Sequence, residues 1–192
     1  MKAGHPAINV RIDMRKILLF LLLVLSAGCQ AQTYERNVIT EVCGVKFGSS
    51  YEGCKAKLKN KFGDYDYLLT NKEYIWFKYK NYAGYLFDDI FFHFQRDDNG
   101  SYLNECGFCK DCKTADEAKQ IRDDIKSSLE KKYRVVDAIG DYGFKFYMAG
   151  YGPMRKSIGL WLEVCKYDKP LKGYPYFVRL HYGPYEYVKE EF

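Results

Sequence analysis

The 192-residue sequence has no unbroken apolar run longer than nine residues. A helix needs ~20 such residues to cross the ~30 Å hydrocarbon core of a bilayer, so a helical membrane bundle is excluded. Histidine is scarce as well, with three residues in the chain and only His93 and His181 beyond position 29. The sequence shows no Gly-x-Ser-x-Gly, no His-Glu-x-x-His and no glycine-rich phosphate loop. Charge of one sign is also missing. The formal net charge is +5, of which residues 1–29 supply +3 through Lys2, Arg11, Arg15 and Lys16 against Asp13. The remaining +2 is no electrostatic footprint for nucleic acid, and no nucleic-acid partner is expected.

Aromatic side chains are abundant. Nineteen Tyr, 13 Phe and two Trp make up 18% of the chain. Flat rings pack well on a pleated, half-buried surface, so this composition favours strands. The hydrophobic fraction of 47% and charged fraction of 29% exclude a disordered polymer. The length suits one domain at ~100–200 residues.

The leader carries the strongest local signal. Met14-Arg15-Lys16 is basic, Ile17–Leu25 is the nine-residue apolar run, and Ser26-Ala27-Gly28-Cys29 closes it with small residues. Charged, apolar and small regions in this order make a secretory signal peptide over 1–29, with Met14 as its natural start. Its end resembles the lipobox of bacterial lipoproteins, in which the cysteine is lipidated and becomes the new N-terminus, with Ser26 standing where Leu is usual. The resemblance implies an acyl anchor on Cys29. Gln30 after the cysteine resembles outer-membrane-destined lipoproteins and implies a periplasm-facing location, with a short tether over 30–37. Cleavage after Ala31, releasing a soluble periplasmic or secreted protein, is the alternative.

Beyond the tether the chain reads as one α+β domain over 38–192, built from two α-β-β-β repeats at about 38–112 and 113–185. Ser49-Ser50-Tyr51-Glu52 and Thr114-Ala115-Asp116-Glu117 both match the capping box Ser/Thr-x-x-Glu. Cys54, Leu58 and Phe62 then recur at helical spacing before Gly63. Ala118, Ile121, Ile125 and Leu129 do so in the second half. The opening strand is predicted at Val38–Phe47. Further strands are predicted at Tyr74–Tyr79, Tyr85–Gln95 and Ser101–Cys109, with Asp98-Asn99-Gly100 as a hairpin turn. The second set is Tyr142–Met148, Ile158–Tyr167 and Tyr174–Tyr182. Two such units place helices on one face of an antiparallel sheet; unrelated halves are the alternative.

The segment Gly44-Val-Lys-Phe-Gly-Ser-Ser-Tyr-Glu-Gly-Cys-Lys-Ala-Lys-Leu58 resembles the first helix of small exported α/β lipoprotein modules. The element order over most of 38–185 resembles the tandem helix-plus-sheet family that includes the β-lactamase inhibitor protein and the BamE (SmpA/OmlA) lipoproteins. Leu103-Asn-Glu105, Arg179-Leu-His-Tyr-Gly-Pro-Tyr185 and the Tyr187–Phe192 ending look like exported proteins of Bacteroides-type bacteria. The likeness implies a fold and a compartment, and no activity.

Six cysteines follow Cys29: Cys43, Cys54, Cys106, Cys109, Cys112 and Cys165. An even number in an oxidising compartment predicts disulfides, whose connectivity the sequence leaves open. Buried thiols are one alternative. The other is a metal site on Cys106-x-x-Cys109-x-x-Cys112, which lacks the fourth ligand that iron–sulfur and structural zinc sites use. No metal and no cofactor is expected.

His93 and His181 fall inside predicted strands, where a packed or hydrogen-bonded role is the default. Asp88-Asp89 reads as a bend or solvated edge, because strand neighbours point to opposite faces. On the second half, Leu160, Leu162, Val178 and Leu180 claim the core. The opposite face then carries Trp161, Glu163, Cys165 and Tyr167 beside Phe177, Arg179 and His181. Large stiff rings with Arg are what protein-binding hot spots favour. Trp161, Tyr167, Phe177, Arg179 and His181 are therefore the expected binding patch of a non-catalytic envelope module. Its partner would be an envelope protein, and its membrane contact would run through the lipid anchor alone. The alternatives are a second core against the first repeat, an enzyme or envelope-stress factor using His93, His181, Glu163 or Arg179, and a purely structural lipoprotein.

Overall fold

Sheet register decides which side chains meet in this protein. The computed structural model describes residues 38–98, 100–139, 143–153, 157–171 and 173–185. The signal peptide, Cys29, Ala31, the 30–37 tether, Asn99, Tyr142 and the 187–192 ending lie outside the described residues.

The opening strand is shorter than expected. It forms a hairpin of β1 (Glu41–Val42) and β2 (Val45–Lys46), turned by Cys43 and Gly44 at φ 54° and 81°. Two positive φ values are what a tight two-residue hairpin demands. Helix α1 spans Tyr51–Phe62 and buries Cys54, Leu58 and Phe62, the spacing read from sequence. Its cap is Ser50, one residue later than the capping-box pattern suggests. The Ser49 carbonyl instead accepts the Leu103 N–H at 2.9 Å, so that residue is committed to the sheet. Helix α2 spans Ala115–Glu130, with Thr114 accepting the Glu117 N–H and Glu117 accepting the Lys113 N–H. Ala118 and Ile125 are buried as expected, and so is Arg122, which donates to the Lys145 carbonyl at 2.8 Å.

Seven strands form one antiparallel sheet: β3 (Tyr74–Tyr82), β4 (Tyr85–Asp97), β5 (Gly100–Cys112), β6 (Val135–Ile139), β7 (Lys145–Tyr151), β8 (Ile158–Leu171) and β9 (Tyr174–Tyr182). Their order is β3-β4-β5-β9-β8-β7-β6. The short edge strand β6 was not expected from sequence. The two halves thus lie side by side, joined by β5 and β9, and do not stack face to face.

The core follows one register row. Phe77, Ile90, Phe108, Leu180, Leu162 and Tyr147 stand directly opposite one another across six strands. All are buried, in one cluster with Cys54, Leu58 and Phe62 of α1 and Ala118 and Ile125 of α2. Both helices therefore cover the same sheet face. No helix among the described residues is long and apolar enough to cross a membrane.

Candidate binding face

The adjacent register row faces away from the helices. It runs Trp76, Phe91, Gly107, His181, Trp161 and Met148 across the same six strands. The rings form a near-continuous track: Trp76 lies 5.1 Å from Phe91, Phe91 5.9 Å from His181, and Trp161 stacks on His181 at 4.9 Å and 5°. Gly107 makes the track possible. A Cβ there would fall 2.3 Å from Cε1 of Phe91, so the Phe91 ring lies over the glycine and fills its place. Gly107→Ala should push that ring off β5 and cost about 1–3 kcal/mol, the range for overpacking. A denaturant titration reads the loss; an unchanged midpoint would show that the ring is not seated on the glycine.

Beside the track, Glu105 lies between the two histidines. Its Oε2 is 3.2 Å from His181 Nε2, and its Oε1 is 2.9 Å from His93 Nδ1. The His93 ring stacks on Tyr74 at 4.5 Å. Burial alone would raise the Glu105 carboxyl, but the hydrogen bond and charge of His181, with His93, outweigh it and hold the group below its ordinary value. A depressed carboxylate pKa stabilises the fold above the unfolded value, about 4.3 for Glu, and that contribution is lost as pH falls through the folded value. The stability difference between wild type and Glu105→Gln should therefore be largest above about pH 4.3 and shrink on acidification. Equal differences at neutral and acid pH would contradict it.

The next row is ionic. Lys78 pairs with Asp89 across β3 and β4, and both Arg179 Nε and Nη2 reach Glu163 Oε1 across β9 and β8, at 3.0 and 2.6 Å. Asp88 accepts the Asp111 N–H at 2.8 Å where the β4–β5 pairing stops, and binds Lys110 at 3.0 Å. Asp88 and Asp89 are continuous strand in β4, an inner strand between β3 and β5, so neither lies at a sheet edge; Tyr79 across from them has φ 53°. Tyr167 donates to Asp111 Oδ1 at 2.8 Å and packs on Phe177 at 4.5 Å.

All five expected patch residues thus lie on this face. Trp161, Tyr167, Phe177 and Arg179 are half-buried, but His181 is only 6% exposed and is the floor of the patch, not part of its surface. The alternation Tyr74-x-Trp76 and Phe91-x-His93 places four more rings here, from the first half of the chain. That signal was legible, but its meeting with Trp161 depends on the β5–β9 seam.

The cysteines of β5 divide between the two faces of the sheet. Within β5, Cys106 and Cys112 lie on the core face and Cys109 on the opposite one, because a spacing of three inverts the side of a strand. Cys43, Cys54, Cys106, Cys109 and Cys112 are thiols in this structure. Burial pushes the Cys54 thiol up to about 11 and those of Cys43, Cys109 and Cys112 to about 12, the environment of inert structural thiols.

No family model, curated protein or solved structure matches the chain. The functional argument accordingly rests on the geometry of this face.

Proposed function

We propose that the protein is an exported module, lipid-anchored through Cys29 to the outer membrane and facing the periplasm, that holds an envelope protein on its helix-free sheet face. The observation that carries this reading is the aromatic track from Trp76 to Trp161 across five strands, with the half-exposed rings of Trp76, Phe91 and Trp161 set around the buried His181. Large apolar patches on the surface of a monomer mark interaction sites more often than chance. Trp, Tyr and Arg are the residues on which binding energy concentrates. The same reading takes the two helix-then-strands halves as α-β-β-β repeats, with β6 an addition to the second, and keeps the likeness to tandem helix-plus-sheet lipoproteins as its frame.

The test is chemical cross-linking of envelope partners to wild type, Trp161→Ala and Trp76→Ala. One partner should be lost from both variants, with an affinity loss of about 2 kcal/mol or more for Trp161→Ala, some 30-fold. Folding stability should change little. An unchanged partner profile would sink the proposal, as would a stability loss of about 3–5 kcal/mol, the signature of a fully packed core ring.

The His93–Glu105–His181 group favours one second reading, acid–base chemistry on the same face, since a carboxylate behind an imidazole orients it as a base. It would predict a turnover that Glu105→Gln slows while partner binding survives.

A further inference from the structure

The sheet has two ends, and register identifies them. Ile75, Phe92, Cys106, Tyr182, Leu160, Ala149 and Val135 form one row across all seven strands. Tyr74 lies one residue beyond that row, and the Tyr151–Ile158 pair two residues beyond it, on the same side. The described chain enters at this end: Val38 bridges Tyr151, and the Ile39 N–H donates to the Tyr151 carbonyl at 2.7 Å. Tyr151 and Ile158 are 41% and 42% exposed there.

The loop from Gly63 to Glu73 leads into β3 at the same end, and it offers an unusual tip. Tyr67 and Leu69 are 68% and 40% exposed, and Leu68 is 95% exposed. The tip is held by its own backbone. The Asp66 carboxylate accepts the N–H groups of Leu68 and Leu69 at 2.9 and 3.1 Å, and the Asp66 N–H donates to the Trp76 carbonyl at 2.8 Å. On the far side of the tip, Thr70 Oγ1 accepts the Trp76 N–H at 3.0 Å. A loop fixed at both flanks presents Leu68 to water, flanked by Leu69 and by Tyr67, whose ring packs on Tyr65 at 4.8 Å. Leaving a Leu exposed forgoes the stabilisation that burying its apolar surface returns, so an external apolar phase is the natural complement.

We propose that this end of the sheet rests on the bilayer that receives the Cys29 acyl chain, with Tyr67, Leu68 and Leu69 dipping into its interface. The inference rests on the lipid-anchor reading and extends it beyond the anchor itself. Eight residues separate Cys29 from Val38 and cannot span more than about 30 Å, so the entry end stays close to the membrane surface. Exposed charges near the tip are mixed, with Lys72 and Arg96 beside Glu73. The contact is therefore apolar, and it should persist at high salt.

The experiment places a photoreactive benzoylphenylalanine at position 68, or at Ile139 as control, in the full chain recovered on phosphatidylethanolamine–phosphatidylglycerol vesicles. Ile139 is 67% exposed and pairs with Lys145 at the opposite end of the sheet. Position 68 should cross-link to phospholipid several-fold more than position 139, in low and high salt alike. A chain that fails to float with the vesicles overturns the anchor and this inference together. A chain that floats while position 68 captures water or protein, or no more lipid than position 139, overturns this inference and leaves the anchor standing.

Discussion

Phe108→Ala should cost about 3–5 kcal/mol of folding stability, the range for removing a buried aromatic ring from a packed core. Phe108 is fully buried at the centre of the sheet, between Ile90 of β4 and Leu180 of β9. Its ring stacks on Tyr82 at 4.4 Å and meets Phe87 and Tyr182 at 5.5 and 5.9 Å. These neighbours come from three strands on both sides of the seam, so they have no common direction in which to collapse. Against a typical total of ~5–15 kcal/mol, the loss would bring the domain close to unfolding. Phe91→Ala, one register row away on the half-exposed face, should cost clearly less. Urea titrations of both variants measure the difference. Equal losses would mean that the outer face is as tightly packed as the core, and would remove the distinction on which the binding proposal depends.

Gly183→Ala should be the other severe substitution, at roughly 2–4 kcal/mol from the left-handed backbone cost and the clash together. Gly183 has φ 84°, and a Cβ there would fall 2.3 Å from the Asn104 carbonyl oxygen and 3.0 Å from Glu105 Cβ. The close approach seats the segment after β9. The Tyr185 N–H donates to that same Asn104 carbonyl at 2.9 Å, the Tyr185 ring meets Phe47 at 4.4 Å, and its hydroxyl donates to the Gly159 carbonyl. The expected damage therefore reaches the candidate face, because the clash falls on the Asn104 carbonyl and then on the adjoining Glu105. Gly173→Ala is the control: φ is also 84°, but nothing lies within 4 Å of the added carbon. It should show the backbone cost alone, about 1–2 kcal/mol. Thermal unfolding of the pair isolates the close approach, and matching losses would show that contact at Gly183 carries no weight.

What the sequence determined by itself was local. The capping residues and the i, i+4 spacing of Cys54, Leu58 and Phe62 specify α1, and alternation assigns Leu160, Leu162, Val178 and Leu180 to the core and Trp161 and Arg179 to the opposite face. Both periodicities are set by backbone geometry within a few residues, so they can be read without knowing any neighbour. The strand ends and the edge strand β6 were less legible, since both depend on where pairing stops.

The tertiary structure decided everything that depends on which strands meet. The β5–β9 seam joins residues about 70 apart in the chain, such as Cys106 with Tyr182, and lays the halves in one sheet rather than in two packed layers. That seam turns two separate aromatic alternations into a single track and brings His181 to Glu105 across 76 positions. Long-range pairing is settled by total burial over many strands at once, a sum to which no short stretch of sequence holds the answer.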